Sequence, residues 1–123
     1  MRDLLVAGGG PVGLATALYA ARAGLDVAVA EPRTGTIDKA CGEGLMTGAV
    51  AALRDLGVPL EGHPIRGIRY LDHDHHAQAA FRHGDGLGVR RTVLHAALRD
   101  TVASAGVPVL ARAVGSVSQP TGL

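Results

Sequence analysis

Apolar residues along the chain fall into short blocks, and the spacing within each block predicts its conformation. Residues 3–7 are an apolar run of strand length, cut off by three consecutive glycines. From 11 to 23 the apolar positions Val12, Leu14, Ala15, Ala17, Leu18 and Ala21 recur at helical intervals. Pro11 falls in the first turn, where its missing N–H costs nothing, and Gly24 provides the stop. Residues 25–30 are apolar on both faces, the pattern of a strand covered on both sides. A strand, a tight turn, a helix, a glycine and a second strand form a βαβ unit, with a right-handed crossover and parallel strands.

Further along, residues 32–44 read as a loop rich in Gly, Thr and charge, and 46–56 as a helix ended by Gly57 and Pro59. The segments "IRGIRYLD", "AQAAFR" and "LGVR" within 65–90 predict short strands, with turns at "HDHH" and "HGDG". Residues 92–105 predict a helix whose apolar stripe runs through Val93, Leu94, Ala97, Leu98, Thr101, Val102 and Ala105, with Gly106 after it. "VPVLARAVGSV" predicts a third parallel-type strand over 107–112 that runs on into the start of another. No internal repeat, low-complexity tract or linker interrupts the chain.

Composition narrows this picture. A length of 123 residues allows one small domain, and 47% hydrophobic residues can give it a core. Aromatics make up only 2% while there are 18 glycines, a mixture suited to close backbone packing. A net charge of +1 gives no electrostatic reason to expect nucleic acid or an anionic membrane as partner. The single cysteine, Cys41, leaves no internal disulfide and fits a reducing compartment, so a cytoplasmic location is expected. No stretch reaches the roughly 18 apolar residues of a membrane span, and Asp3 and the glycines at 8–10 break any signal-peptide pattern.

The glycines carry the chemistry. A strand that turns at once into a helix whose N-terminus faces an anion needs unusual backbone angles and no obstructing side chain. Gly8, Gly10 and Gly13 meet these needs in order: the tight turn, close approach to a pyrophosphate, and close helix-to-strand packing. Small residues continue at Ala17, Ala21 and Gly24, and Glu31 at the end of the second strand can accept both hydroxyls of an adenosine ribose. Dinucleotide binding follows. Glu31 disfavours NADP at this site, since a carboxylate repels a 2′-phosphate, although Arg33 lies two positions on. The glycines alone do not separate NAD from FAD.

"GGGPVGLATALYAARAGLDVAVAEPR" resembles the FAD-binding start of the flavoprotein monooxygenases of the p-hydroxybenzoate hydroxylase type, with the related geranylgeranyl reductases and flavin-dependent halogenases. The Pro-Val-Gly-Leu after the glycines is especially similar to the aromatic-ring hydroxylases. "DKACGEGLM" is similar to the Lys-x-Cys-Gly-x-Gly-Leu segment of the reductase-like branch, and "RRTVLHAALRDTVASAGV" to the family's Arg-x-x-Leu-x-x-x-Leu helix, with Arg91, Leu94 and Leu98 on its positions. The resemblance implies an α/β fold: a Rossmann-like βαβ FAD-binding domain with a parallel sheet and a small inserted β-hairpin region, incomplete at its C-terminus. It divides residues 1–123 into a Rossmann core, 1–35 and 91–118, and an inserted flavin loop, helix and β region, 36–90.

The cofactor implied is FAD, with NAD(P)H as transient reductant. The resemblance assigns its binding to Gly8, Gly10, Pro11, Val12, Gly13, Glu31, Pro32, Arg33, Cys41, Gly42, Gly44, Leu45 and, at the pyrophosphate, Arg91. The function expected is that of an FAD-dependent oxidoreductase acting on a small organic substrate, a monooxygenase ahead of a reductase or a halogenase. An NAD-dependent dehydrogenase is the alternative on the same fold, and a non-catalytic nucleotide-binding fragment the third reading. Relatives are several times longer, and a second FAD motif, an Asp-Gly pair, is expected beyond Leu123 as part of the same enzyme. The strand order 3-2-1 expected for the core also leaves the first strand as an apolar edge.

No residue is assigned as catalytic, and no metal centre is expected. Cys41 and Glu43 could face the flavin, but a small residue filling a tight loop accounts for Cys41 better than a reactive thiol, with Lys39 only suggestive. Asp72 to His76 place five potential ligands in adjacent positions, where side chains on a hairpin turn point apart, so a solvated turn is expected. His63, His83 and His95 are expected at the surface or as caps, and Arg90 is as readily a surface charge as a ligand.

Overall fold

The computed structural model describes residues 1–119. β1 (Leu4–Ala7), α1 (Pro11–Arg22) and β2 (Val27–Ala30) form the βαβ unit, and β1 pairs with β2 in parallel from Leu4 opposite Val27 to Ala7 opposite Ala30. After an irregular stretch over residues 31–43, the chain builds β3 (Gly44–Leu45), α2 (Thr47–Asp55), β4 (His63–Ile65), β5 (Gly67–Asp72), β6 (His75–Ala80) and β7 (Gly86–Gly88).

α3 (Arg91–Ser104) and β8 (Val109–Leu110) bring it back to the first sheet, where β8 pairs in parallel with β2. The order β1-β2-β8 is the 3-2-1 arrangement expected from the sequence, with β1 at the edge and Leu5 half-exposed. A second, antiparallel sheet runs β3-β7-β4, and β5-β6 form a separate hairpin. This is the α/β architecture with a parallel sheet and an inserted hairpin.

One apolar cluster joins the two parts. Leu14, Ala17 and Leu18 of α1 and Leu94, Leu98 and Val102 of α3 meet Val27 and Val29 of β2, and the same cluster continues through Val50 and Leu53 of α2 to Leu87 and Val89. Small residues on α1 let α3 pack against it, so the N-terminus of α3 arrives beside that of α1. Only this juxtaposition makes a site out of segments some eighty positions apart.

Two expectations change. The strand expected over 107–112 spans two residues, and no second strand follows among the described residues. The ladder ends where the chain turns: the Leu110 carbonyl accepts the Glu31 N–H at 2.9 Å, and the Arg112 N–H folds back onto that same carbonyl at 2.8 Å. The buried face of α3 is also rotated from the apolar stripe. Val93 is 45% exposed, whereas His95 is fully buried with Leu94, Leu98 and Val102. The hairpin tip behaves as expected, with Asp72 to His76 exposed around a turn at His73 and Asp74.

Candidate functional site

β1 ends at Ala7, and Gly8 reverses the chain with φ of +108°, a conformation L side chains rarely adopt. Its N–H extends the ladder to the Ala30 carbonyl at 2.9 Å. Gly10 is the N-cap of α1, Pro11 opens the helix, and the Leu14 N–H to Gly10 carbonyl contact, 2.9 Å, is its first hydrogen bond. The N–H groups of Val12 and Gly13 therefore have no helical partner, and no acidic side chain lies in the first turn to occupy them. Gly13 sits against the turn: a Cβ there would come within 2.0 Å of the Gly8 carbonyl oxygen. No residue larger than glycine holds α1 this close to β1.

Glu31 follows β2 and is 2% exposed. Its Oε2 accepts the Gly9 N–H at 2.8 Å and Arg33 Nη2 at 3.0 Å, and its Oε1 accepts the Arg33 N–H at 2.9 Å and Nε at 2.8 Å. These four contacts occupy the carboxylate's ordinary acceptor positions. Hydrogen bonds from the Arg33 side chain first, then from the Arg33 and Gly9 backbone, hold the Glu31 pKa down to about 2 against the opposing effect of burial. Arg33 keeps more than half of its side-chain surface in solvent while its guanidinium holds two of those four acceptor positions. A cleft of about 400 Å³ opens there, lined by Gly8, Glu31, Pro32, Arg33, Ala113 and Val114 among others.

Arg91, the first residue of α3, lies on the other side of the glycine turn. A Cβ on Gly10 would stand 4.0 Å from its Nη2. Its Nε is buried without a hydrogen-bond partner among the described residues, while its backbone N–H donates to Glu43 Oε1 at 3.2 Å. Glu43 has φ of +53° and brings its carboxylate to the N-terminus of α3, where the helix dipole favours a negative charge.

The structure therefore gathers Gly8, Gly10, Pro11, Gly13, Glu31, Pro32, Arg33 and Arg91 at one end of the parallel sheet. Val12 belongs to the same turn, but its side chain is 82% exposed and only its backbone is placed to act. Cys41, Gly42 and Gly44 are exposed in and beside the 38–44 loop, which Glu43 ties to α3, and Leu45 packs under that loop opposite Leu87 in the second sheet.

Two participants escaped the sequence reading. Gly9 reads in the sequence only as part of the break in the apolar run, yet both its N–H and its carbonyl are held by side chains. His95, expected at the surface or as a cap, is fully buried: Nε2 lies 2.8 Å from the Gly9 carbonyl, and Nδ1 accepts the Ile37 N–H at 3.0 Å. The available signal was its position four residues after Arg91 and three before Leu98, on one helical face.

The arrangement offers unpaired N–H donors and a guanidinium to an anion, and a buried carboxylate to vicinal hydroxyls. The profile of the FAD binding domain family matches residues 1–107. This chain belongs to that family. It is 52% identical over 56 residues to the menaquinone reductase of Mycobacterium tuberculosis, a match covering 46% of this chain and 14% of the relative. Among solved structures, a geranylgeranyl bacteriochlorophyll reductase-like protein from Thermoplasma acidophilum superposes with a TM-score of 0.79 at 26% identity, covering 98% of this chain and 32% of the other. The p-nitrophenol 4-monooxygenase of Pseudomonas putida gives 0.81 at 21% identity, over 98% and 34%.

The chain thus spans about a seventh of the curated relative and about a third of these structures. FAD is the cofactor of the family, and the residues present fit it: the glycine turn leaves room for a diphosphate, Arg91 carries a buried nitrogen unpaired among the described residues beside that turn, and the buried Glu31 carboxylate is bonded to the turn on its Gly9 side. Among the described residues no helix is long and apolar enough to cross a membrane.

Proposed function

We propose that this chain is the FAD-holding part of a flavin-dependent reductase acting on a small organic substrate with an apolar unsaturated or quinone-type group, with NAD(P)H as the electron source. The observation that carries FAD binding is the buried Glu31 carboxylate bonded directly to the glycine turn, with Arg91 across it. Residues 1–35 and 91–118 would form the dinucleotide-binding core, and 36–90 an insertion whose 38–44 loop borders the flavin. Bound FAD supplies hydride or electron transfer, and the protein supplies position and polarity.

In this reading the α1 N–H groups and Arg91 bind the pyrophosphate. Glu31 accepts the ribose hydroxyls as the Arg33 guanidinium withdraws, and Gly10, Pro11 and Val12 keep the approach clear. Cys41, Gly42, Gly44 and Leu45 shape the loop beside the ring. No side chain of this chain is assigned a proton transfer.

Reduction is preferred to oxygenation because the 52% match is to a menaquinone reductase and the Lys-x-Cys-Gly-x-Gly-Leu loop is of the reductase-like kind. The monooxygenase reading draws its support from the Pro-Val-Gly-Leu turn and the likeness to the p-nitrophenol 4-monooxygenase. The complete gene product, purified and supplied with NAD(P)H, separates the two by product mass. Menaquinone gaining two hydrogens without oxygen supports the reductase; a phenol gaining one oxygen atom supports the monooxygenase; absence of bound flavin defeats both.

A further inference from the structure

We propose that His95 is a positioning residue for the anion-binding turn, acting as the neutral Nε2–H tautomer. The inference rests on the reading above that this turn holds the FAD pyrophosphate.

The ring's partners assign its protons. The Ile37 N–H can only donate, so Nδ1 must present a lone pair to it; the Gly9 carbonyl can only accept, so Nε2 must carry the hydrogen. Both contacts are buried, and both go to backbone groups rather than to side chains that could turn elsewhere.

The consequence for the turn comes from peptide geometry. The Gly9–Gly10 peptide is planar and trans, so its carbonyl and the Gly10 N–H point in opposite directions. With the carbonyl drawn onto His95, the Gly10 N–H is turned away from that ring. The preceding peptide is fixed as well, because the Gly9 N–H is held by Glu31 Oε2. Gly9 has no room for a side chain, since a Cβ would lie 2.9 Å from the Glu31 Cβ. Glu31 and His95 thus grip the same residue from opposite sides and fix the orientation of two successive peptides.

Nδ1 extends the brace. Ile37 is buried immediately before the loop that carries Cys41 and Glu43, and Glu43 returns to α3 at Arg91, one helical turn before His95. The α3 helix therefore holds the glycine turn through His95, and the two ends of the 38–43 loop through His95 and the Arg91 backbone. A hydrophobic ring of similar size would fill the space and leave the Gly9 carbonyl and Ile37 N–H unpaired. A glutamine keeps one donor and one acceptor for them.

The test compares His95→Phe and His95→Gln in the complete gene product, reading FAD affinity by flavin fluorescence and exchange of the Ile37 amide by hydrogen–deuterium mass spectrometry. Loss of buried hydrogen bonds predicts FAD affinity about ten- to hundredfold weaker in H95F, with faster Ile37 exchange, and H95Q within about threefold of wild type. H95F binding as tightly as wild type, or folded H95Q binding as weakly as H95F, would overturn the proposal. Should H95F fail to fold, the wild-type protein decides: an Ile37 amide exchanging as fast as the exposed loop residues beside it overturns the proposal, and strong protection supports it. Failure of the underlying reading looks different, because the wild-type protein would then bind no FAD while Ile37 stayed protected.

Discussion

Gly13→Ala sets two opposed effects against each other at one methyl group. In a helix interior alanine is favoured over glycine by about 1 kcal/mol. Yet the new Cβ would stand 2.0 Å from the Gly8 carbonyl oxygen, 3.1 Å from its carbon and 3.3 Å from Val6 Cγ1. Carbon and oxygen approach to about 3.3 Å at closest without strain, so α1 and the turn must separate by about 1.3 Å. The obstacle is backbone and cannot rotate away, which puts the cost near the upper end of the overpacking range, about 3 kcal/mol. The net loss is about 2 kcal/mol, or a melting temperature lower by about 8 °C for a domain of this size.

On the proposed reading, moving the start of α1 by this much should also weaken FAD affinity by roughly tenfold, through its N–H groups toward the pyrophosphate. Thermal melts followed by circular dichroism and FAD titrations measure the two losses. Gly48→Ala is the control, since a Cβ there meets nothing within 4 Å; it should leave stability unchanged or raise it by up to about 1 kcal/mol. If G13A melted at or above the wild-type temperature with undiminished FAD affinity, the close-contact account of this motif would be wrong.

Other outcomes follow from the same geometry. On the proposed reading, Glu31→Gln removes the charge that would accept the ribose hydroxyls and should weaken FAD by about ten- to hundredfold in equilibrium titrations; unchanged affinity would remove Glu31 from the site. Because the folded Glu31 pKa is about 2 against an ordinary value of 4.5, the unfolded chain binds the proton more readily. The contribution to stability is then complete above pH 4.5 and lost as pH falls toward about 2, so wild type should lose more melting temperature across that window than E31Q. Parallel melting curves would contradict this. Arg91→Lys keeps a charge but not the planar fork beside Gly10, and FAD affinity should drop by roughly tenfold, with Arg91→Ala lower still; equal binding by R91A would place the pyrophosphate elsewhere.

Local rules made much of this legible. Periodicity placed β1, α1 and β2, because an apolar run, a helical stripe and a second apolar run leave few alternatives for thirty residues. The positive φ of Gly8 and the contact at Gly13 are what a strand turning directly into a helix requires, so those glycines announced themselves. The shortness of β8 is not legible in the same way, because the strand ends where the Arg112 N–H folds back onto the Leu110 carbonyl, a turn the apolar pattern of 107–112 does not encode.

The sequence by itself determined the βαβ unit, the glycine turn that opens α1 and the carboxylate at the end of β2, since each follows from the short-range geometry of adjacent residues. Only the tertiary structure decided which face of α3 is buried and where it leads. Rotation of a helix about its axis is set by what packs on it: here α1 and the glycine turn draw in His95 and leave Val93 at the surface. The same packing brings Glu43 to the start of α3 and joins the carboxylate, the turn and the loop through one glycine. No spacing within the chain reports such contacts, because they form between segments that meet only after the core has closed.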